Sequence, residues 1–74
     1  MQVKKLNGRS NVIGKNIKKY RLKAKLKLCD ISLITNISTG YLSKIESGKS
    51  NCYLSTIIKI AEALNISLYD LFDD

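Results

Sequence analysis

The sequence has no histidine, no proline and no tryptophan, and it holds one phenylalanine and two cysteines in 74 residues. Histidine is the side chain that changes charge near neutral pH and the commonest metal ligand. Without it, the usual general base and the mixed Cys/His zinc sites are excluded. Cys29 and Cys52 stand apart, with no paired Cys-x-x-Cys, so they form neither a zinc pattern nor a disulfide framework. They read as small packing residues or free thiols in a reducing compartment. The acids are few and scattered, and there is no phosphate-binding loop or nucleophile–base pairing, so an enzyme is not expected. No metal, cofactor or small-molecule ligand is implied. With no proline and no long Gly/Ser tract there is no evident linker, and the chain reads as one domain. No apolar run approaches membrane-spanning length, and the N-terminus lacks a signal-peptide core, so a soluble, cytoplasmic protein with no membrane partner is expected.

Acid is also missing from the first 29 residues. Ten of the thirteen basic residues lie at or before Lys27 (Lys4, Lys5, Arg9, Lys15, Lys18, Lys19, Arg21, Lys23, Lys25 and Lys27), and the formal net charge is +7. The end of the chain reverses this, with Glu62, Asp70, Asp73 and Asp74 and no base beyond Lys59. A basic front and an acidic tail point to one face turned toward a polyanion. A solvated lysine-rich surface is the bland alternative. A hydrophobic fraction of 45% argues against disorder.

Periodicity resolves five helices and no strand. Residues 1–10 have no sustained period and read as a flexible basic arm, either tracking a phosphate backbone or simply frayed. Residues 11–24 form the first helix, capped by Ser10 or Asn11, with Ile13, Ile17, Tyr20 and Ala24 on one stripe and Gly14 tolerated near its start. A membrane-surface role for this basic helix is discounted, because the stripe is narrow and has neither tryptophan nor phenylalanine. A short second helix runs from Lys27 or Leu28 to Ile34. Ile31 faces the core, while Leu28, Leu33 and Ile34 cannot all be buried on so short an element. Thr35, Asn36 and Ile37 make a turn, with Asn36 suited to a left-handed backbone. Ser38 caps a third helix over 39–47, and Gly48 ends it. Leu54, Ile57, Ile58, Ala61 and Leu64 mark a fourth, amphipathic helix. Ser67 and Asp70 make a capping box that opens a final short helix through Phe72.

This order of elements, with its central segments, resembles the Cro/repressor-type helix-turn-helix family, the lambda-repressor-like DNA-binding domains. Residues 13–21 (IGKNIKKYR) resemble the family's first helix. Residues 37–49 (ISTGYLSKIESGK) resemble its recognition helix and exit. Residues 57–68 with Leu71 and Phe72 resemble its closing helices. The resemblance covers about four-fifths of the chain. It implies an all-α, five-helix domain over 11–74 with the helix-turn-helix at about 28–47. It also implies a transcriptional regulator, most often a repressor, that binds double-stranded DNA as a homodimer on an inverted repeat.

The family's roles carry over position by position. A helix entering a major groove about 12 Å wide needs a polar, uncrowded face. Thr39, Gly40, Tyr41 and Lys44 meet that need and are expected at the bases, with phosphate as the other target for Tyr41 and Lys44. Lys27, Ser38, Ser43, Lys49, Ser50 and Asn51 are expected at phosphates. Arg21 and Glu46 match a pair that ties the first helix to the third. Ile66, Leu68, Tyr69 and Phe72, away from the basic end, are the expected dimer surface.

Several positions depart from the pattern. Lys27 and Leu28 replace a hydroxyl cap and a glutamine, and Leu28 cannot make that glutamine's backbone contact. Lys25 and Asn36 replace glycines, so Lys25 is expected to hold a strained left-handed backbone. Cys52 and Tyr53 replace a proline and a cap. A competing function is a protein-interaction module on the same fold, such as an antitoxin or anti-repressor, using Leu28, Leu33 and Ile34 as its patch.

Overall fold

The computed structural model describes residues 10–50 and 53–73, with nothing described of the side chains at 10 and 11. Of the expected arm at 1–10, residues 1–9 lie outside the described residues, as do Asn51, Cys52 and Asp74, while Ser10 is the first residue of α1. Among the described residues five helices run in order: α1 Ser10–Lys23, α2 Leu28–Thr35, α3 Thr39–Glu46, α4 Leu54–Leu64 and α5 Leu68–Phe72. No strand occurs among the described residues. No helix among them is long and apolar enough to cross a membrane.

All five helices contribute to one core. Ile13 and Ile17 of α1, Ile31 of α2, Leu42 and Ile45 of α3, Ile57 and Ile60 of α4 and Leu71 of α5 are essentially fully buried. Two expectations shift at the edges of this core. The α1 stripe stops at the half-buried Tyr20, because the helix ends at Lys23 and Ala24 turns outward. On α4 the isoleucine buried beside Ile57 is Ile60, while Ile58 sits on the flank of the stripe and is exposed. Within a run Ile57-Ile58-Lys59-Ile60, local apolarity does not say which isoleucine faces inward; the packing of α4 against α1, α2 and α5 does.

The helix ends follow a shared device. Lys25, Asn36, Gly48 and Asn65 all adopt the left-handed conformation, at φ 59°, 63°, 76° and 57°. At three of them the next residue's amide reaches back five positions: Leu26 to the Arg21 carbonyl, Lys49 to that of Lys44, and Ile66 to that of Ala61. Orphan carbonyls at each helix end are satisfied in this way, and the chain is reversed within two residues. Glycine occupies only one of the four positions. For lysine the left-handed region is strained by roughly 1–2 kcal/mol. Lys25→Gly is therefore expected to raise stability by about 1 kcal/mol in urea denaturation; an unchanged or lower midpoint would contradict the strain at this residue.

The start of α2 is stronger than Lys27 suggests. Lys27 has the extended cap conformation but no side-chain acceptor, and Asp30 supplies the missing half by accepting the Lys27 amide at 2.8 Å. Its charge also sits in the first turn, where the helix dipole favours it. At the other end Thr35, expected in the turn, is the last residue of α2 and is buried. Its hydroxyl donates to the Ile31 carbonyl at 2.7 Å and accepts the Ile37 amide at 3.2 Å, which ties the turn to the helix before it.

Buried Asn16 is a fastener that hydrophobic periodicity does not show. Its Nδ2 donates to the carbonyls of Leu71, at 3.0 Å, and Asp73, at 2.7 Å. These carbonyls lie at the C-terminal end of α5, where the helix's own amides do not reach them. One α1 side chain thus closes the C-terminal helix onto the first.

Candidate nucleic-acid interface

The third helix is set out from the body of the domain by its two ends. At its start, Ser38 is extended and its Oγ accepts the Tyr41 amide at 3.2 Å. From there Thr39, Gly40, Ser43 and Lys44 are exposed, while Leu42 and Ile45 turn into the core. A polar strip is left along the outer side of the helix. Tyr41 is half-buried and packs against the core, so its ring is partly committed to the interior. Nothing lies within 4 Å of where a Cβ on Gly40 would stand, so that glycine is not demanded by packing.

Two contacts with α1 fix the far end of the helix. Arg21 Nε donates to Glu46 Oε2 at 2.6 Å and Nη2 to Oε1 at 3.0 Å, a bidentate pair. Arg21 Nη1 also donates to the Leu26 carbonyl at 2.9 Å, so one guanidinium joins α1, the α1–α2 turn and α3. The two side chains are 11% and 8% exposed. The hydrogen bonds that Arg21 donates to Glu46 hold the arginine above its ordinary pKa, with burial pulling the other way, and Arg21 stays charged throughout the range in which proteins fold. The second contact is steric. A Cβ on Gly14 would stand 2.8 Å from the Glu46 carbonyl oxygen and closer still to that of Ile45. Glycine at this point lets the two helix backbones touch, where the sequence suggests only a tolerated residue.

The expected phosphate ligands ring this helix unevenly. Lys27 is exposed at the start of α2, Ser38 and Ser43 lie on α3, and Lys49 is exposed just past its left-handed end at Gly48. Ser50 is half-buried there. Leu28 packs against the core rather than facing outward. On the expected dimer surface, Ile66, Leu68 and Phe72 are half-buried against the core, and Tyr69 stands out at 83% exposed. Leu33 and Ile34 are also exposed. Ile34 lies at the rim of a shallow depression of about 270 Å³, lined further by Thr35, Lys59, Glu62 and Ala63. Cys29 is an exposed free thiol, not a packing residue.

Two helices joined by a tight left-handed turn, the second presenting a polar strip, form a helix-turn-helix in shape. A family model described as "Helix-turn-helix domain" matches residues 14–74. The chain belongs to the helix-turn-helix family. It is of the Cro/repressor type, and its five helices have the lambda-repressor-like arrangement.

Solved structures of other helix-turn-helix proteins superimpose on this one. The restriction-modification controller protein C.AhdI from Aeromonas hydrophila has 25% identity and a TM-score of 0.81, over 85% of this chain and 96% of that one. An HTH_3 family transcriptional regulator from Vibrio cholerae has 30% identity and a TM-score of 0.81, over 86% of this chain but 36% of its own. The restriction-modification controller protein C.Esp1396I, solved as a tetramer in complex with its natural 35 base-pair operator, has 24% identity and a TM-score of 0.79, over 89% of this chain and 87% of that one. That last likeness is one of fold. No curated protein matches this helix-turn-helix chain.

Proposed function

We propose that this domain is a sequence-specific transcriptional regulator of double-stranded DNA, acting as a repressor. α3 lies in the major groove, and the domain binds as a homodimer on an inverted repeat. The observation that carries this reading is the outward strip of Thr39, Gly40, Ser43 and Lys44 on a helix whose other face is core and whose far end is tied to α1. Such a helix presents donors and acceptors to base edges without collapsing into the domain. Family membership and the regulators among its structural neighbours support the same reading.

In this reading Thr39 and Lys44 face base edges. Threonine exchanges hydrogen bonds and touches a thymine methyl, and lysine reaches guanine O6 and N7. Gly40 admits the DNA close to the helix backbone. Tyr41, its ring half-buried, offers its hydroxyl end to a base or phosphate. Lys27, Ser38, Ser43, Lys49, Ser50 and Asn51 hold the two strands on either side, which sets register without reading sequence. Two-fold pairing through Tyr69, with Ile66, Leu68 and Phe72 behind it, doubles the few base pairs that one module reads. The action is binding rather than catalysis, in the cytoplasm, with no cofactor. A protein partner at the exposed Leu33 and Ile34 is compatible with this role but not required by it.

Selection from a random duplex pool with the purified protein tests the reading, with enrichment of an inverted repeat as the expected result. On the selected site, Thr39→Ala and Lys44→Ala should each lose about 1–3 kcal/mol of discrimination. Lys49→Ala should weaken all sequences alike and lower the salt dependence by about one contact. If both α3 variants keep the wild-type site preference, groove reading by this helix is wrong.

A further inference from the structure

The outer face of α1 is a second concentration of positive charge, away from the α3 strip. At 100° per residue, Lys15, Lys18, Lys19, Leu22 and Lys23 share one side of the helix, centred opposite the buried Ile13 and Ile17. All five are exposed. Over these nine positions the ridge is about 12 Å long. Two of its ammonium groups are gathered rather than dispersed: Lys19 Nζ lies 5.2 Å and Lys23 Nζ 5.8 Å from the centre of the Tyr20 ring.

Within the helix only the Tyr20 ring and, at Lys23, the C-terminal end of the dipole favour this charge. α1 has no acidic residue, not even in the first turn where the dipole would favour one. Lys15 and Lys19, and Lys19 and Lys23, are like-charge neighbours at i, i+4, a spacing that destabilises a helix. Of the described acids, Glu46 is occupied by Arg21, Asp30 and Asp70 accept backbone amides at the caps of α2 and α5, and Glu62 lies on α4; Asp73 is held near α1 through its carbonyl, with no ion pair to the ridge. A ridge whose charges repel along their own helix, and whose lysines form no ion pair among the described residues, fits an external polyanion.

We propose that the α1 ridge is a sequence-independent binding surface for the sugar–phosphate backbone of DNA flanking the site read by α3. The proposal rests on the groove reading above and adds residues that it does not use. α1 crosses the C-terminal end of α3 at backbone contact through Gly14. The domain measures 29 × 25 × 22 Å, so the ridge lies within about one 34 Å turn of duplex from the reading helix. The flanking backbone of the same duplex is therefore within its reach.

The test compares wild type with Lys15→Gln/Lys18→Gln/Lys19→Gln on two duplexes carrying the selected site, one of 14 and one of 34 base pairs. Glutamine has a helix propensity close to that of lysine and relieves the repulsion, so the melting temperature should not fall. The wild type should bind the longer duplex more tightly and with a steeper salt slope, and the triple variant should lose both advantages. Three lost phosphate contacts per domain lower the slope by about 2.7 for each bound domain, so the wild-type advantage shrinks roughly 40-fold per domain between 50 and 200 mM salt. Equal slopes for the two proteins on the long duplex would overturn the proposal, as would a wild-type complex that holds two duplexes per domain instead of one extended flank. The two readings fail separately. If Thr39→Ala and Lys44→Ala leave site preference intact while the triple variant still loses slope on a random 34 base-pair duplex, the ridge stands and the groove assignment falls.

Discussion

Replacing Arg21 with alanine should destabilise the domain by about 3–5 kcal/mol, the range for removing one partner of a buried ion pair. Glu46 would then be a carboxylate with 8% of its side chain exposed and no counter-charge, and the Leu26 carbonyl would lose its donor. Small domains have only about 5–15 kcal/mol of stability in total, so a large share of the folded population is at stake. Glu46→Ala should be comparably damaging, because the guanidinium is then stranded. The double variant should lose much less than the two single losses summed, since each change removes the reason for the other. Arg21→Lys should recover only part, because an ammonium cannot make the two parallel bonds or reach the Leu26 carbonyl at the same time. Urea denaturation of the four variants measures all of this. A loss under about 1 kcal/mol for Arg21→Ala would mean that the pair behaves as an exposed one.

Gly14→Ala carries the second large effect, and its sign separates two views of the residue. Were Gly14 only a tolerated helix residue, alanine would stabilise α1 by about 1 kcal/mol through propensity alone. In the folded domain the new methyl instead meets two backbone carbonyls of α3, and backbone cannot rotate aside as a side chain would. α1 must lift from α3, which is an overpacking strain of about 3 kcal/mol set against that gain of about 1. A net loss of roughly 2 kcal/mol is expected in the same denaturation assay. Because the displaced carbonyls belong to Ile45 and Glu46, the Arg21 pair is strained as well. Gly14→Ala and Arg21→Ala should therefore be non-additive. A raised melting temperature for Gly14→Ala would show that the helices separate there without loss.

How much of this was legible in the sequence differs from element to element. The third helix was, down to its cap at Ser38 and the left-handed residue at Gly48, because hydroxyl caps and terminal glycines act within a few residues of chain. The capping box of Ser67 and Asp70 was legible for the same reason. The role of Arg21 and Glu46 was implied only by resemblance, since no local rule links residues 25 positions apart. Asn16 carries no such local signal. A polar residue on an amphipathic helix looks solvated until the end of α5 arrives with unsatisfied carbonyls.

Gly14, Ile58 and Ile60 show the same division. Five helices, their stops and starts, the basic front of the chain and the polar start of α3 are legible from residues alone, because each depends on neighbours in the chain or on repetition at the helical period. Which isoleucines of α4 are buried, why residue 14 must lack a Cβ, and which α1 side chains fasten α3 and α5 depend on the assembled domain. Those are properties of surfaces brought together from distant parts of the chain. Close packing and the need to satisfy buried polar groups act on the assembled surface, not on the segment that supplies it.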